Sequence, residues 1–305
     1  MEFKAYNHSI PHSYELADES IIKPDIRRII THDVLYIVGL VFLSAILCTA
    51  WFSSSIRRST AWYSLNCALA LSCIGYLLII GHQTGPLPGH ILCLFQAMLI
   101  NAFPALNALT FVTFMLEIWL TISGLSTIFR TTMIIFYLVP YAVFTGILIE
   151  VLILGILNPT AVLRQPNGYF CHMSILVPVR ITSTIVICSV MAGLILGVRI
   201  ILKCRKHWEA CKPLLIRNNI PFGLILRLGL VGLCSILSIG LAIEDEMTNW
   251  DNTFSLSLAV LPPAVGIIFG SQGDMLRSWM FWRKRKPLPT SLPQQSESHD
   301  YQTPP

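Results

Sequence analysis

Seven long apolar runs separated by short polar segments make up most of the chain. They cover approximately residues 34–54, 61–80, 91–124, 133–154, 175–202, 222–243 and 253–270. A helix of roughly 20 apolar residues crosses a ~30 Å hydrocarbon core, and each run is long enough to do so. The runs at 91–124 and 175–202 are overlong, so their helices tilt or protrude from the bilayer. Several contain Gly or Pro, which membrane helices tolerate because neighbouring helices re-satisfy the freed backbone groups. The pattern predicts an all-α membrane protein: a seven-transmembrane-helix bundle of alternating direction over residues 34–270.

Composition agrees. Of the 305 residues, 54% are hydrophobic and 12% charged, about half the ~25% charged fraction of a soluble domain. The basic residues then set the orientation. With the N-terminus outside, the inner segments 55–60, 125–132, 203–221 and 271–305 hold thirteen Lys and Arg, against five in the outer segments (Lys4, Lys23, Arg27, Arg28 and Arg164). That excess follows the positive-inside rule. Residues 1–33 are therefore expected to be extracellular, the location a multi-pass plasma membrane one, and the main partner the lipid bilayer rather than nucleic acid. This first segment lacks the apolar core of a signal peptide, so no cleavage is expected. It contains Asn7-His8-Ser9, an outward-facing glycosylation sequon, whereas Asn158-Pro159-Thr160 is excluded by its proline.

Residues 271–286 read as a membrane-surface helix. Met275, Trp279 and Trp282 recur at i, i+4 and i+7, and Arg283 to Lys286 follow, a combination that suits an anionic inner leaflet. A solvated stop-transfer run is the alternative. The tail, 287–305, is rich in Pro, Ser and Gln and is expected to be disordered.

Polar groups within the spans carry the candidate chemistry. Glu117 is the single charge between Ile91 and Phe129, and a carboxylate at the bilayer centre costs roughly 2.5–3.5 kcal/mol on insertion scales. Counting 24 residues from Cys93 at 1.5 Å each takes it about 36 Å along the helix, close to the inner interface. A basic group at the inner ends of spans five or six is the expected partner, Arg227 first and Arg199 second. Such a pair would form an inner latch that opening breaks; a water-exposed carboxylate that caps nothing is the alternative. Glu150 and Arg180 lie at similar depth near the outer ends of spans four and five; they are expected either to pair or to snorkel separately. Gln96, Asn101 and Asn107 on span three need hydrogen-bond partners, from another helix or from a ligand.

Of nine cysteines, only Cys93 and Cys171 are expected at the oxidising outer face, where no other pair is available. Closing the loop between them would stabilise by roughly 4–5 kcal/mol in the chain-entropy model.

Seven spans, an outside N-terminus, a cysteine at the outer end of span three and another in the second outer loop together resemble the rhodopsin-like G-protein-coupled receptors. The resemblance covers residues 34 to about 286. It implies that Cys93 and Cys171 are bonded, and that the chain couples an unidentified extracellular ligand to a heterotrimeric G protein. The basic inner segment 203–221 would be the docking surface. The family's inner motifs depart here. Glu117 is followed by Ile118 and Trp119 instead of Arg-Tyr, and "LPPAVGIIF" replaces Asn-Pro-x-x-Tyr. Span two has no Asp and span six no Trp-x-Pro. The family's sodium site and switches therefore do not carry over. The stretch "FGSQGDMLRSWMFWRKRK" looks like that of divergent fungal receptors.

Two other classes compete. A small-solute transporter would have internal repeats and broken helices meeting at the midplane. Pro104 and Pro262-Pro263 are candidate breaks, but spans 1–3 and 5–7 show no convincing similarity. An intramembrane enzyme needs clustered metal ligands or paired carboxylates; no histidine lies deep in a span, and span seven has no lysine for a Schiff base. No cofactor or metal is expected. The acidic "EDEMTNWD" of the third outer loop either favours a cationic ligand or balances the inner positive charge.

Overall fold

The computed structural model describes residues 25–53, 56, 58–124, 130–165, 167–206 and 253–279. In chain order these form α1 (Ile26–Phe52), α2 (Thr60–Tyr76), α3 (His90–Ile122) and α4 (Arg130–Leu157). A single 3-10 turn (Pro159–Ala161) follows, then β1 (Val162–Arg164), β2 (Cys171–Met173), α5 (Leu176–Lys206), α6 (Thr253–Gly270) and the short α7 (Gly273–Trp279). Among the described residues four helices are long and apolar enough to cross a membrane: Ile26–Phe52, His90–Ile122, Met133–Leu157 and Leu176–Lys206. Leu256–Gly270 is a shorter apolar helix, and α2 has 17 residues. The protein is thus a mainly helical membrane protein. The first five predicted spans and the seventh each fall on a helix. The sixth (222–243), Asn7, Arg227, the acidic third outer loop and the tail lie outside the described residues.

Two boundaries move. The helix of span one begins at Ile26 rather than near residue 34, because Asp25 accepts the Arg27 N–H at 3.0 Å and caps it. The last eight residues before the predicted span therefore belong to α1. The all-α expectation also misses a small antiparallel hairpin, in which Val162 pairs with Met173, Leu163 with His172 and Arg164 with Cys171. Three residues per strand are too few for alternation to show in a sequence.

The surface is arranged for an apolar solvent. Ile134, Ile135, Leu138 and Val139 of α4, and Ile187, Met191, Ile195 and Val198 of α5, face outward, while Asn66, Ser72, Gln96 and Thr110 are buried. Hydrocarbon rewards that inversion, since interior polar groups must bond to protein.

The α3 helix is the axis of the bundle: α2, α4, α5 and both strands pack on it, and α1 packs on α2 and α6. Glycines permit the close approaches. A Cβ on Gly39 of α1 would lie 2.6 Å from Pro262 Cβ of α6, and one on Gly75 of α2 would lie 2.5 Å from the Phe103 ring of α3. On α5, a Cβ on Gly193 would meet the Phe111 ring at 2.7 Å. Small residues at such contacts let helices approach where no water drives them together.

Prolines inside helices each free a carbonyl four residues back, and α3 compensates for one of them. Pro140 interrupts α4 and leaves the Phe136 carbonyl without its helical donor. The Thr113 hydroxyl of α3 bonds that oxygen at 3.2 Å while also reaching Leu109 O at 3.0 Å. At the Pro104 interruption of α3, the Thr182 hydroxyl of α5 donates to the neighbouring Asn101 carbonyl at 2.9 Å.

The Thr113 bond predicts a specific coupling. Thr113→Val should cost about 0.6–1.7 kcal/mol in thermal unfolding of the membrane-reconstituted protein. In a Pro140→Ala background, where α4 supplies its own N–H to Phe136, the same change should cost close to nothing. Equal costs in both backgrounds would remove this account of the α3–α4 contact.

Candidate functional site

The end of the bundle that the charge pattern predicts to face outward, the outer end, is built on Cys93 and Cys171. They are disulfide-bonded, with Cα atoms 5.2 Å apart, and tie β2 to the first turn of α3. One turn further in, Gln96 is fully buried and spends its amide on the same junction. Its Oε1 accepts the Cys171 N–H at 2.8 Å, and its Nε2 donates to the Gly75 and Tyr76 carbonyls of α2 at 3.2 and 3.4 Å. Gly168 turns the hairpin with φ of 81°, and a Cβ there would lie 2.5 Å from Gln83 O. Arg164 donates to the carbonyls of His82, Gly85 and Pro86 at 3.0–3.3 Å. The second outer loop is thereby fastened over the first.

Beneath the hairpin lies an aromatic cluster. Tyr169 stacks on the buried His32 of α1 (4.8 Å, 19°), Tyr36 stacks on Tyr76 (4.6 Å, 9°), and Phe170 meets Tyr76 edge-on at 5.8 Å. His32 Nδ1 lies 3.3 Å from Asp33 Oδ1, which also accepts Gln83 Nε2 at 2.8 Å. Burial pushes the Tyr169 phenol up from its ordinary pKa, against the lowering effect of Arg28. Burial likewise pulls the His172 pKa on β2 down, against the raising effect of its hydrogen bond with the Leu163 backbone.

A cavity of about 160 Å3 opens below this cluster, between α1, α2, α3, α5 and α6. Its walls are mainly apolar, including Leu65, Leu69, Phe111, Val190, Val265 and Phe269. Its polar lining consists of Tyr36, Ser72, Tyr76 and Asn107. Pro104 of α3 and Pro262 of α6 both border it, so the space lies where both helices are interrupted. Asn107 donates through Nδ2 to Ser72 Oγ at 2.8 Å, and its Oδ1 is buried without a hydrogen bond among the described residues.

At the opposite end, predicted to face inward, lies Glu117. The carboxylate faces the Ser59 and Tyr137 hydroxyls and the backbone N–H of Ala61. Ser59 is the N-cap of α2, where its oxygen accepts the Trp62 N–H at 3.3 Å. Glu117 therefore sits at the amino end of α2, where unpaired N–H groups and the helix dipole favour an anion. Its Oε2 is buried and takes no hydrogen bond among the described residues.

A second inner cluster joins the α1–α2 loop to α7. Arg58 donates to Gln272 Oε1 at 2.6 Å and to Asp274 Oδ2, and its guanidinium lies 5.6 Å from the Trp62 ring centre. Burial lowers the Arg58 pKa, while Asp274 acts in the opposite direction. Trp279 Nε1 donates to Thr49 Oγ1 at 2.7 Å and anchors α7 under α1. Sequence reasoning missed this cluster; Asp274, an acid in the first turn of a helix within a basic segment, was the signal that pointed to it.

The other candidates separate. Gln96 is satisfied by protein, Asn101 donates to the Ala97 carbonyl at 2.8 Å, and neither lines the cavity. Of the three polar candidates on α3 only Asn107 does so. Glu150 and Arg180 form no ion pair with each other, because α4 and α5 pack on α3 more than on one another; Arg180 is exposed and Glu150 half-buried. Arg199 is exposed on α5 and makes no ion pair with Glu117, which turns toward α2 and α4. No group of His, Cys, Asp and Glu among the described residues is suited to a metal. No family model matches the chain, and no curated protein matches it.

The capping role makes its own prediction. Glu117→Leu removes the anion beside Ser59, Tyr137 and the amino end of α2 and should cost about 1–3 kcal/mol of stability, read as a lower apparent melting temperature in nanodiscs. Glu117→Gln keeps an acceptor and should cost less. An unchanged melting temperature in the leucine variant would contradict the cap.

Proposed function

We propose that the chain is a seven-transmembrane receptor of the plasma membrane, N-terminus outside, that couples an extracellular ligand to a heterotrimeric G protein. The observation that carries this reading is a loop disulfide-tethered to one end of the central helix, above a cavity bordered by five helices. A tethered cover over a lined space is what a receptor needs to hold a ligand. The proline interruptions of α3 and α6 beside that space leave both helices able to shift when it fills. On the inner side, the Glu117 cap on α2 and the Arg58–Asp274 contact hold the helix ends in one arrangement. The basic residues of 203–221 and 271–305 then offer a surface to the G-protein α-subunit.

The test is nucleotide exchange on purified G-protein heterotrimers by the full chain in nanodiscs, against empty nanodiscs. Measurable basal exchange should rise when Arg58→Gln or Asp274→Asn loosens the inner end. Exchange at the empty-nanodisc level in the wild type and both variants, with every α-subunit class tried, would overturn the receptor reading. Substrate flux in proteoliposomes from the same preparation would favour a transporter instead.

A further inference from the structure

The basic residues of α5 are placed against its lipid-facing side. The run from Ile181 to Val198 holds no charge, and at 1.5 Å per residue it spans about 27 Å, close to the ~30 Å hydrocarbon core. Within and just beyond it, Ile187, Met191, Ile195, Val198 and Leu202 form an exposed apolar stripe. Arg199, Lys203, Arg205 and Lys206 follow in the last two turns, at the end predicted to face inward. At 3.6 residues per turn, Arg199, Lys203 and Lys206 fall within a sector of about 60° along one edge of that stripe. Arg205 falls on the other edge. Arg199 and Lys206 are exposed.

Lys203 is held in place by α3. Its Nζ donates to Ser123 Oγ at 2.9 Å and lies 5.9 Å from the centre of the Trp119 ring. An ammonium has three donors, so two remain for another acceptor. Residues three or four apart on a helix have Cβ atoms about 5–6 Å apart, close enough for these three cations to converge on one phosphate. No acidic side chain among the described residues pairs with them. Asp274 is taken by Arg58, and Glu117 faces Ser59, Tyr137 and Ala61. Glu209, the acid of 203–221, lies outside the described residues. The positive-inside rule accounts for basic residues at this end. It does not account for three of them on one edge of a lipid-facing stripe, one fixed by a neighbouring helix.

We propose that Arg199, Lys203 and Lys206, with Trp119 and Ser123, form a binding site for the headgroup of an anionic phospholipid. The negative headgroup meets the three cations at the bilayer surface, and its acyl chains run along Val198 and Leu202. Those chain contacts select a lipid over a soluble phosphate, which would gain the charges alone. The site needs no G protein and stands apart from the receptor reading.

The probes are phosphatidylserine and phosphatidylcholine carrying the same diazirine-bearing acyl chain. Each would be doped at one level into phosphatidylcholine nanodiscs holding the full chain, at physiological ionic strength. Cross-links would then be mapped by peptide mass spectrometry. Labelling of 195–206 should be at least about five-fold stronger with phosphatidylserine, since one basic residue near an anionic surface is worth roughly that factor. The double change Arg199→Gln, Lys206→Gln should bring the preference below about two-fold, with the melting temperature unchanged. The charge-keeping pair Arg199→Lys, Lys206→Arg should retain it. Equal labelling by the two lipids in the wild type would overturn the proposal, as would a preference that survives the glutamine changes. Loss of the preference on adding inorganic phosphate at matched ionic strength would also overturn it, in favour of a soluble anion. Equal labelling together with loss of nucleotide exchange in the glutamine variant would assign the cluster to the G protein instead.

Discussion

Within hydrocarbon a polar group has only other protein groups to bond to, and the bundle is organised around satisfying that demand along one helix. Almost every polar side chain on α3 has a destination. Gln96 joins the hairpin to α2, and Thr110 and Asn101 bond back to carbonyls of α3 itself. Thr113 reaches the carbonyl that Pro140 frees in α4, and Glu117 faces the amino end of α2. The contacts run from the outer disulfide to the inner cap, and each specifies a different neighbour. Because α3 touches α2, α4, α5 and both strands, satisfying its polar groups fixes the azimuth of most of the bundle.

A group whose hydrogen bonds all end on protein stabilises one arrangement. Asn107 ties α3 to α2 through Ser72, itself committed to the Ala68 carbonyl, while its Oδ1 stays buried without a hydrogen bond among the described residues.

Much of the helical architecture was legible from hydropathy, since the described helices fall on the predicted apolar runs. Depth along a helix was legible too: counting from Cys93 placed Glu117 near the inner end. Azimuth was not. Hydropathy reports which residues lie in hydrocarbon, but it does not say which neighbour each face meets. Of the two outcomes expected for Glu150 and Arg180, pairing assumed that consecutive helices face one another, whereas each packs chiefly on α3. For Glu117 the sequence suggested basic partners, of which Arg199 makes no ion pair with it and Arg227 lies outside the described residues; that a helix amino end is itself a cationic site was not visible in the pattern. Gln96, Asn101 and Asn107 look alike in the sequence, and only the surrounding carbonyls and hydroxyls separate the tie to the hairpin and α2, the bond back into α3 and the bond to Ser72. The hairpin escaped notice because its strands are short and depend on Cys171 and Gln96 for their place. Arg58 and Asp274 stand 216 residues apart, beyond any local pattern.

Hydrogen exchange of the nanodisc-embedded protein, followed by mass spectrometry before and after reduction of the disulfide, tests most directly whether α3 is the axis that orders its surroundings. With Cys93–Cys171 intact, the amides of 162–173 should be protected together with the outer turns of α3. Reduction should accelerate exchange in the hairpin and leave the α3 amides between Asn101 and Glu117 protected, because their neighbours are held by Thr113, Thr182 and the Glu117 cap. Hairpin amides exchanging at unprotected rates while the disulfide is intact would contradict the account, as would loss of protection along the whole of α3 on reduction.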